Sequence, residues 1–283
     1  MLRLFVTAAA VLGMSVLTAM ADVDANKQLV RNMMANVFAA RDASAVDRYF
    51  AEDYIQRNPM IPSGSAPIKT FLSKPVDPTA PKRPKNELHR MIGEGDLVAT
   101  HSTLHNFGPK PLVAFDVFRI EDGRIAEHWD NLTPLRATPN PAGRSQVDGA
   151  VEITDLHRTA ANKALVLELL TRMFIGGEKL NIAKFINPAK YLQHNPDAGD
   201  GLKGLQALMK ANAARGVKMR YDKIGIVVAE GNFVLTGASG AFGDQPTAFY
   251  DLWRLEEGLI VEHWDIIAPI PTENLPEGYP GKF

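Results

Sequence analysis

One sixteen-residue pattern occurs twice in this chain and limits what it can fold into. Residues 115–130 read FDVFRIEDGRIAEHWD, and residues 250–265 read YDLWRLEEGLIVEHWD. Each is a pair of alternating runs around a turn, Asp122-Gly123 in one and Glu257-Gly258 in the other, which is the signature of a β-hairpin. The two lie 135 residues apart (250 less 115), too far for a solenoid repeat, so a whole domain is duplicated.

The rest of the chain falls into register with that duplication. Leu29, Val30, Met33, Met34, Val37 and Phe38 form an apolar helical stripe, and Leu165, Val166, Leu169, Leu170, Met173 and Phe174 repeat it. A short second helical piece ends near Phe50 and near Phe185. Then come Tyr54-Ile55-Gln56-Arg57-Asn58-Pro59 and Tyr191-Leu192-Gln193-His194-Asn195-Pro196, where the proline holds the preceding Asn extended and fixes a loop. Here the copies diverge. Residues 75–84 carry four prolines and read as a loop, whereas 204–214 read as a helix. Strands follow over 96–105 and 231–239, with Gly237 where the first copy has His101, and the repeated hairpin closes each copy.

Helices followed by a run of antiparallel strands predict an α+β fold, a curled sheet with helices on its concave side. Both faces of the hairpin are apolar, so the outer face must also be covered. The other copy is the obvious cover, giving an internal pseudo-dimer and leaving further self-association open. Residues 1–21 are expected to be a signal peptide: Arg3, an apolar run from Leu4 to Met20, and a small-x-small pattern at Ala19-Met20-Ala21. The expected divisions are 22–136 for the first copy, 137–157 for a linker, 158–270 for the second copy and 271–283 for a tail. The mature protein is expected to be periplasmic or secreted, with no membrane attachment after cleavage. A formal charge of −1 excludes nucleic acid as a main partner, and the absence of cysteine excludes disulfides and thiolate metal sites.

The candidate chemistry sits in the repeated Glu-His-Trp-Asp. Regular pairing around the Asp122-Gly123 turn sets Ile120 opposite Ile125 and Phe115 opposite Asp130. His128 and Asp130 then share a face with Phe115 and Val117, and Trp129 lies with Asp116 and Phe118. In the second copy His263 and Asp265 share a face with Tyr250 and Leu252. A bulge would exchange the faces. A carboxylate buried in apolar surroundings becomes a stronger base, able to take a proton from carbon beside a carbonyl. Gln56, Asn58 or His128 could then donate to the enolate, and no cofactor is required. His101 and His105 stand about 13 Å apart on one strand face, too far for joint metal binding, although either could reach Asp130. No metal is expected, because no paired-histidine motif occurs. The bland alternative is that Glu-His-Trp-Asp only caps backbone or bridges the two copies. Residues 199–204 match a Gly-x-Gly-x-x-Gly pattern, but no βαβ unit surrounds it.

These elements, the Tyr-x-Gln-x-Asn-Pro loop, Phe-Arg-x-x-x-Gly-x-Ile and Glu-His-Trp-Asp resemble the SnoaL-like family of the nuclear transport factor 2-like superfamily, once per copy. The resemblance implies a cone-shaped α+β barrel with a deep apolar pocket for an apolar small molecule. It implies a pocket aspartate acting as acid/base in an intramolecular aldol condensation, at the positions of Asp130 and Asp265. Their neighbours His128 and His263 join them as catalytic candidates. Tyr54, Gln56, Asn58, Tyr191, Gln193, His194 and Asn195 would line the pocket, with His101 and His105 as further candidates. The fold hosts cyclases, isomerases, dehydratases, epoxide hydrolases and non-enzymes, so aldol, cyclisation or isomerisation chemistry stands beside a non-catalytic exported binding protein. An epoxide-hydrolase-like set would use Arg119 and Arg254, which that register places on the aspartate face.

Overall fold

A computed structural model of the protein describes residues 22–75, 84–107 and 109–283; the expected signal peptide and most of the proline-rich loop lie outside them. The first copy opens with a helix over 22–33 (α1), which widens into a π-helical turn at Met34–Ala39. Val30, Met33 and Val37 are fully buried, as their helical spacing predicts. A short helix (α2, Val46–Tyr49) leads into β1 (Phe50–Gln56), and α3 (Ser65–Ser73) precedes four long strands. These are β2 (Lys85–Glu94), β3 (Leu97–His105), β4 (Leu112–Glu121) and β5 (Arg124–Pro134). The second copy repeats the plan with α4 (Thr159–Leu169), β6 (Leu192–Gln193), α5 (Gly201–Ala214), β7 (Met219–Glu230), β8 (Phe233–Phe242), β9 (Gln245–Glu256) and β10 (Leu259–Pro269).

Each copy is one five-stranded sheet, in the orders β1-β5-β4-β3-β2 and β6-β10-β9-β8-β7. Only the edge strands β1 and β6 run parallel to their neighbours. The counterpart of α5 is α3 and not the proline segment, because Pro67 in its first turn starts a helix rather than breaking one.

The hairpin register is not regular, and this corrects the face assignment. Ile120 pairs with Ile125 as expected, but Arg119 pairs with Glu127, leaving Ala126 as an extra residue. Val261 is extra in the second copy, between the pairs Leu255–Ile260 and Arg254–Glu262. Beyond the bulge every pairing moves by one residue. His128 and Asp130 face Phe118 and Asp116 across the strands, and Trp129 faces Val117. Arg119 and Arg254 therefore leave the aspartate face and pair with Glu127 and Glu262.

Two cores fill the space between each sheet and its helices, and a third joins the sheets. The third includes Phe115, Val117 and Trp129 of one copy and Phe233, Tyr250, Leu252 and Trp264 of the other. Fully burying such side chains is worth about 1.5–3 kcal/mol each, so this layer holds the copies together as firmly as a domain core would. Its rim carries a pseudo-twofold pair of crossings. Lys27 meets Glu230, whose other oxygen accepts the Gly93 N–H at 2.7 Å; Lys163 meets Glu94 at 2.8 Å, and Glu94 accepts the Ala229 N–H at 3.0 Å.

Candidate functional site

The bulge and the parallel edge strand together build the site. Parallel pairing sets Gln56 beside His128 and Gln193 beside His263. The Gln56 amide is fixed at both ends: its Nε2 donates to the Tyr54 hydroxyl at 3.0 Å, and its Oε1 accepts the Asn58 N–H at 2.9 Å. Oε1 also lies 3.0 Å from His128 Nδ1. An amide oxygen only accepts, so Nδ1 carries the proton. The other ring nitrogen, Nε2, faces Asp116 Oδ1 at 3.0 Å. The hydrogen bond between imidazole and carboxylate is made by the one proton that lies between them.

Asp130 sits next to this pair, bonded through Oδ2 to Asn58 Nδ2. Asn58 Oδ1 accepts the Met60 N–H at 2.8 Å, which turns the amide so that its nitrogen meets the carboxylate. Phe118 stacks on the His128 ring at 4.8 Å.

The second copy reproduces the arrangement. Gln193 Nε2 donates to Tyr191 at 3.2 Å, and its Oε1 accepts the Asn195 N–H at 2.9 Å while lying 3.0 Å from His263 Nδ1. His263 Nε2 meets Asp251 Oδ1 at 3.0 Å. Asn195 Nδ2 donates to both oxygens of Asp265, at 2.7 and 3.0 Å. Two differences stand out. Tyr221 donates to Asp251 at 3.1 Å, and Trp253 replaces Phe118 as the stacking partner of the histidine. Burial pushes the Asp265 carboxyl up to about 6; His263 opposes the rise, and the nearby Asp251 adds to it. Burial, with Asp265 and Asp251 close by, holds the Tyr191 phenol well above its usual range, so it stays protonated.

The carboxylates Asp116 and Asp251 were missing from the sequence-level candidates because regular pairing turned them away from the histidines. The pairing of Arg119 with Glu127, repeated by Arg254 and Glu262, was the signal that could have revealed the bulge. Ligand atoms of Asp116, His128 and Asp130 lie within 4.8 Å of one another, as do those of Asp251, His263 and Asp265. Each trio has donors suited to a divalent cation. No paired-histidine motif marks them, since each trio holds one histidine, with one carboxylate on its own strand and the other on the neighbouring strand.

Three candidates lie elsewhere. His101 is buried between the sheets, its ring tilted against Phe115 at 4.5 Å, with Nδ1 accepting from Arg90 at 3.0 Å. Burial, then Arg90, hold its pKa well below the ordinary histidine range, so it is a neutral packing residue away from Asp130. His105 bonds Glu87 at the far end of β3. His194 points to the outer face, stacks on Trp264 and joins Glu262 and Asp148.

The deep pocket implied by the resemblance does not coincide with either of two cavities among the described residues. One, of about 10 Å³, lies between the sheets beside Arg90, His101 and Leu235; the other, about 390 Å³, lies at Gly216–Arg220 and Gly243–Asp244. Phe50, Tyr54, Ile68, Leu72, Ile120 and Ile125 fill the first cone.

The curled sheets, the helices on their inner faces and the polar cluster at the closing strand define a nuclear transport factor 2-like α+β protein in two copies. Residues 30–128, within the first copy, match the family model of the SnoaL-like domain. No curated protein matches the chain. Among solved structures it is similar to a candidate ketosteroid isomerase from Kribbella flavida, at 22% identity over 47% of this chain and 95% of that one, with a TM-score of 0.35. It is similar to an LEH-like epoxide hydrolase of M. tuberculosis, at 22% identity over 38% and 79%, with a TM-score of 0.32. It is also similar to IdmH, a candidate polyketide cyclase from Streptomyces antibioticus, at 17% identity over 38% and 91%, with a TM-score of 0.30.

Proposed function

We propose that the protein is an enzyme that moves a proton on an apolar, carbonyl-containing small molecule, in an aldol-condensing, cyclising or isomerising reaction, with Asp265 and Asp130 as the acid/base groups. The observation that carries this reading is the duplicated cluster itself: a histidine locked by glutamine, its partner carboxylate, and a second carboxylate held by asparagine. With a pKa near 6, Asp265 is ionised at neutral pH yet a stronger base than an exposed aspartate. It takes the proton from carbon. The Asn195 amide and the proton between His263 and Asp251 are the donors available to the enolate oxygen. The SnoaL-like domain supports the reaction class. An Asp–Arg–Asp epoxide-opening set is disfavoured, since Arg119 and Arg254 are tied to glutamates.

A second reading, a non-catalytic binding protein, draws on the mismatch between the copies, Arg57 against His194 and His101 against Gly237. The test is turnover of enolisable ketones and polyketide-like substrates by Asp130→Asn, Asp265→Asn and the double variant. The catalytic reading expects the double variant to lose activity by about 10²–10⁴-fold. Unchanged turnover removes the proposed bases, and an unmodified molecule retained in native mass spectra then favours binding.

A further inference from the structure

The two clusters match residue for residue, but what lies over them does not. The segment that follows each sheet folds across the Tyr-loop of the other copy. After β5, Asn140 Nδ2 donates to the carbonyls of Gln193 and Asn195, and Asp148 meets His194. After β10, the Tyr279 hydroxyl donates to the Arg57 carbonyl at 3.2 Å, and Arg57 Nη1 donates to the carbonyls of Pro280 and Gly281, both at 3.2 Å. The first crossing bonds Asp200 through Arg144, outside the cluster, whereas the second reaches a cluster aspartate. Lys282 Nζ stands 3.3 Å from Asp130 Oδ1, and the two side chains are 8% and 5% exposed. Phe283 follows, packed on Tyr250 at 5.8 Å between the sheets. Its slot exists because Gly225 and Gly237 have no side chains: a Cβ on Gly225 would lie 2.5 Å from the ring. Among the described residues no lysine bonds Asp265, which is only half-buried.

We propose that residues 279–283 are a strap that closes the first site. Phe283 is its anchor, and the Lys282 ammonium occupies the place beside Asp130 that a ligand would need. The copies are therefore unequal: the second site is available as it stands, and the first only when the strap lifts. Three holds act together. Arg57 grips the strap backbone, the ion pair is dry on both sides, and the ring fills a slot that a single methyl group would obstruct. The consequence for turnover rests on the catalytic reading above, but the closure itself does not.

Carbodiimide chemistry on the full chain reads closure without any substrate. In the unaltered protein it should join Asp130 to Lys282 through an amide, found by peptide mass spectrometry. In Lys282→Met that link disappears, and capture of Asp130 by added glycine methyl ester should rise roughly tenfold, while capture at Asp265 stays the same. Gly225→Ala evicts the anchor from 2.5 Å away without touching the site, and should also speed capture at Asp130 alone. The proposal is overturned if no Asp130–Lys282 link forms, if Asp130 is captured equally with and without Lys282, or if both aspartates accelerate together, which would mean general loosening. Failure here leaves the acid/base reading standing, and loss of that reading leaves the closure measurable.

Discussion

Asp265 carries the residue-scale claim, because its environment gives a pH signature. Its carboxyl titrates near 6 in the folded protein against 3.8 for a free aspartate. The native state therefore holds that proton more tightly than the unfolded chain does. This favours folding fully below about pH 4 and is lost as pH rises through 6. Stability should fall over that window by up to about 3 kcal/mol, less whatever solvent screening the half-buried residue retains. Asp265→Asn should flatten this dependence and make the protein more stable than the parent at pH 7.5, since the amide oxygen can still accept from Asn195. Urea unfolding at pH 4, 5, 6 and 7.5 checks it, and an unaltered pH slope in the variant would assign the titration to another group. An activity that depends on Asp265 as a base should show an acid limb at the same midpoint.

At the scale of elements, the bulges at Ala126 and Val261 decide which side chains meet. Inserting one residue between Glu262 and His263 would, with regular pairing, set His263 opposite Leu252 and Asp265 opposite Tyr250, sending Trp264 to the helix side and both polar groups into the apolar layer between the sheets. Buried charge without its partners costs several kcal/mol, so the second copy should fail to fold, with protease cleavage concentrated in 158–270. A native-like, protease-resistant insertion variant would mean that the added residue is absorbed as a second bulge and does not shift the register. The hairpins themselves were plain in the sequence. The turns were legible as Asp-Gly and Glu-Gly, and all four residues take the positive φ such turns need. The helical stripes were legible too, because their period matches burial. The face assignment was not, since one extra residue reverses it and period-two patterns carry no marker of parity. α3 was hidden by Pro67 and by the proline run behind it. Gln56 and Asn58 were legible as site residues because Pro59 fixes their loop, whereas Arg57 and His194 alternate to the outer face of the same loop. Asp116 and Asp251 depended wholly on the register, and Lys282 on a tail whose path no local pattern encodes.

At the scale of the whole molecule, duplication explains why both faces of each hairpin are apolar. The inner face packs on the copy's own helices, and Phe115, Val117 and Trp129 pack on Phe233, Tyr250, Leu252 and Trp264. Asn131 crosses as well, its Nδ2 donating to the carbonyls of Ala248 and Ile266 at 3.1 and 2.8 Å. The copies also differ where symmetry would crowd the interface: Arg90 and His101 of one stand where Ile226 and Gly237 of the other leave room for Phe283. Such a layer cannot be left in water. A chain of residues 22–136 alone would expose it, together with an Asn131 amide stripped of both acceptors. That fragment should self-associate through the bare sheet face or precipitate, and a soluble dimer should rebuild the layer with two Trp129 rings in place of Trp129 and Trp264. Arg90 and His101 would then meet their own copies across the interface, where two buried guanidinium groups repel, so the dimer should be weaker than the intramolecular pair. Sedimentation of the fragment against the full chain measures this. A stable monomeric fragment, with native far-ultraviolet dichroism and no exposed apolar surface, would show that the interface between copies is dispensable to each half.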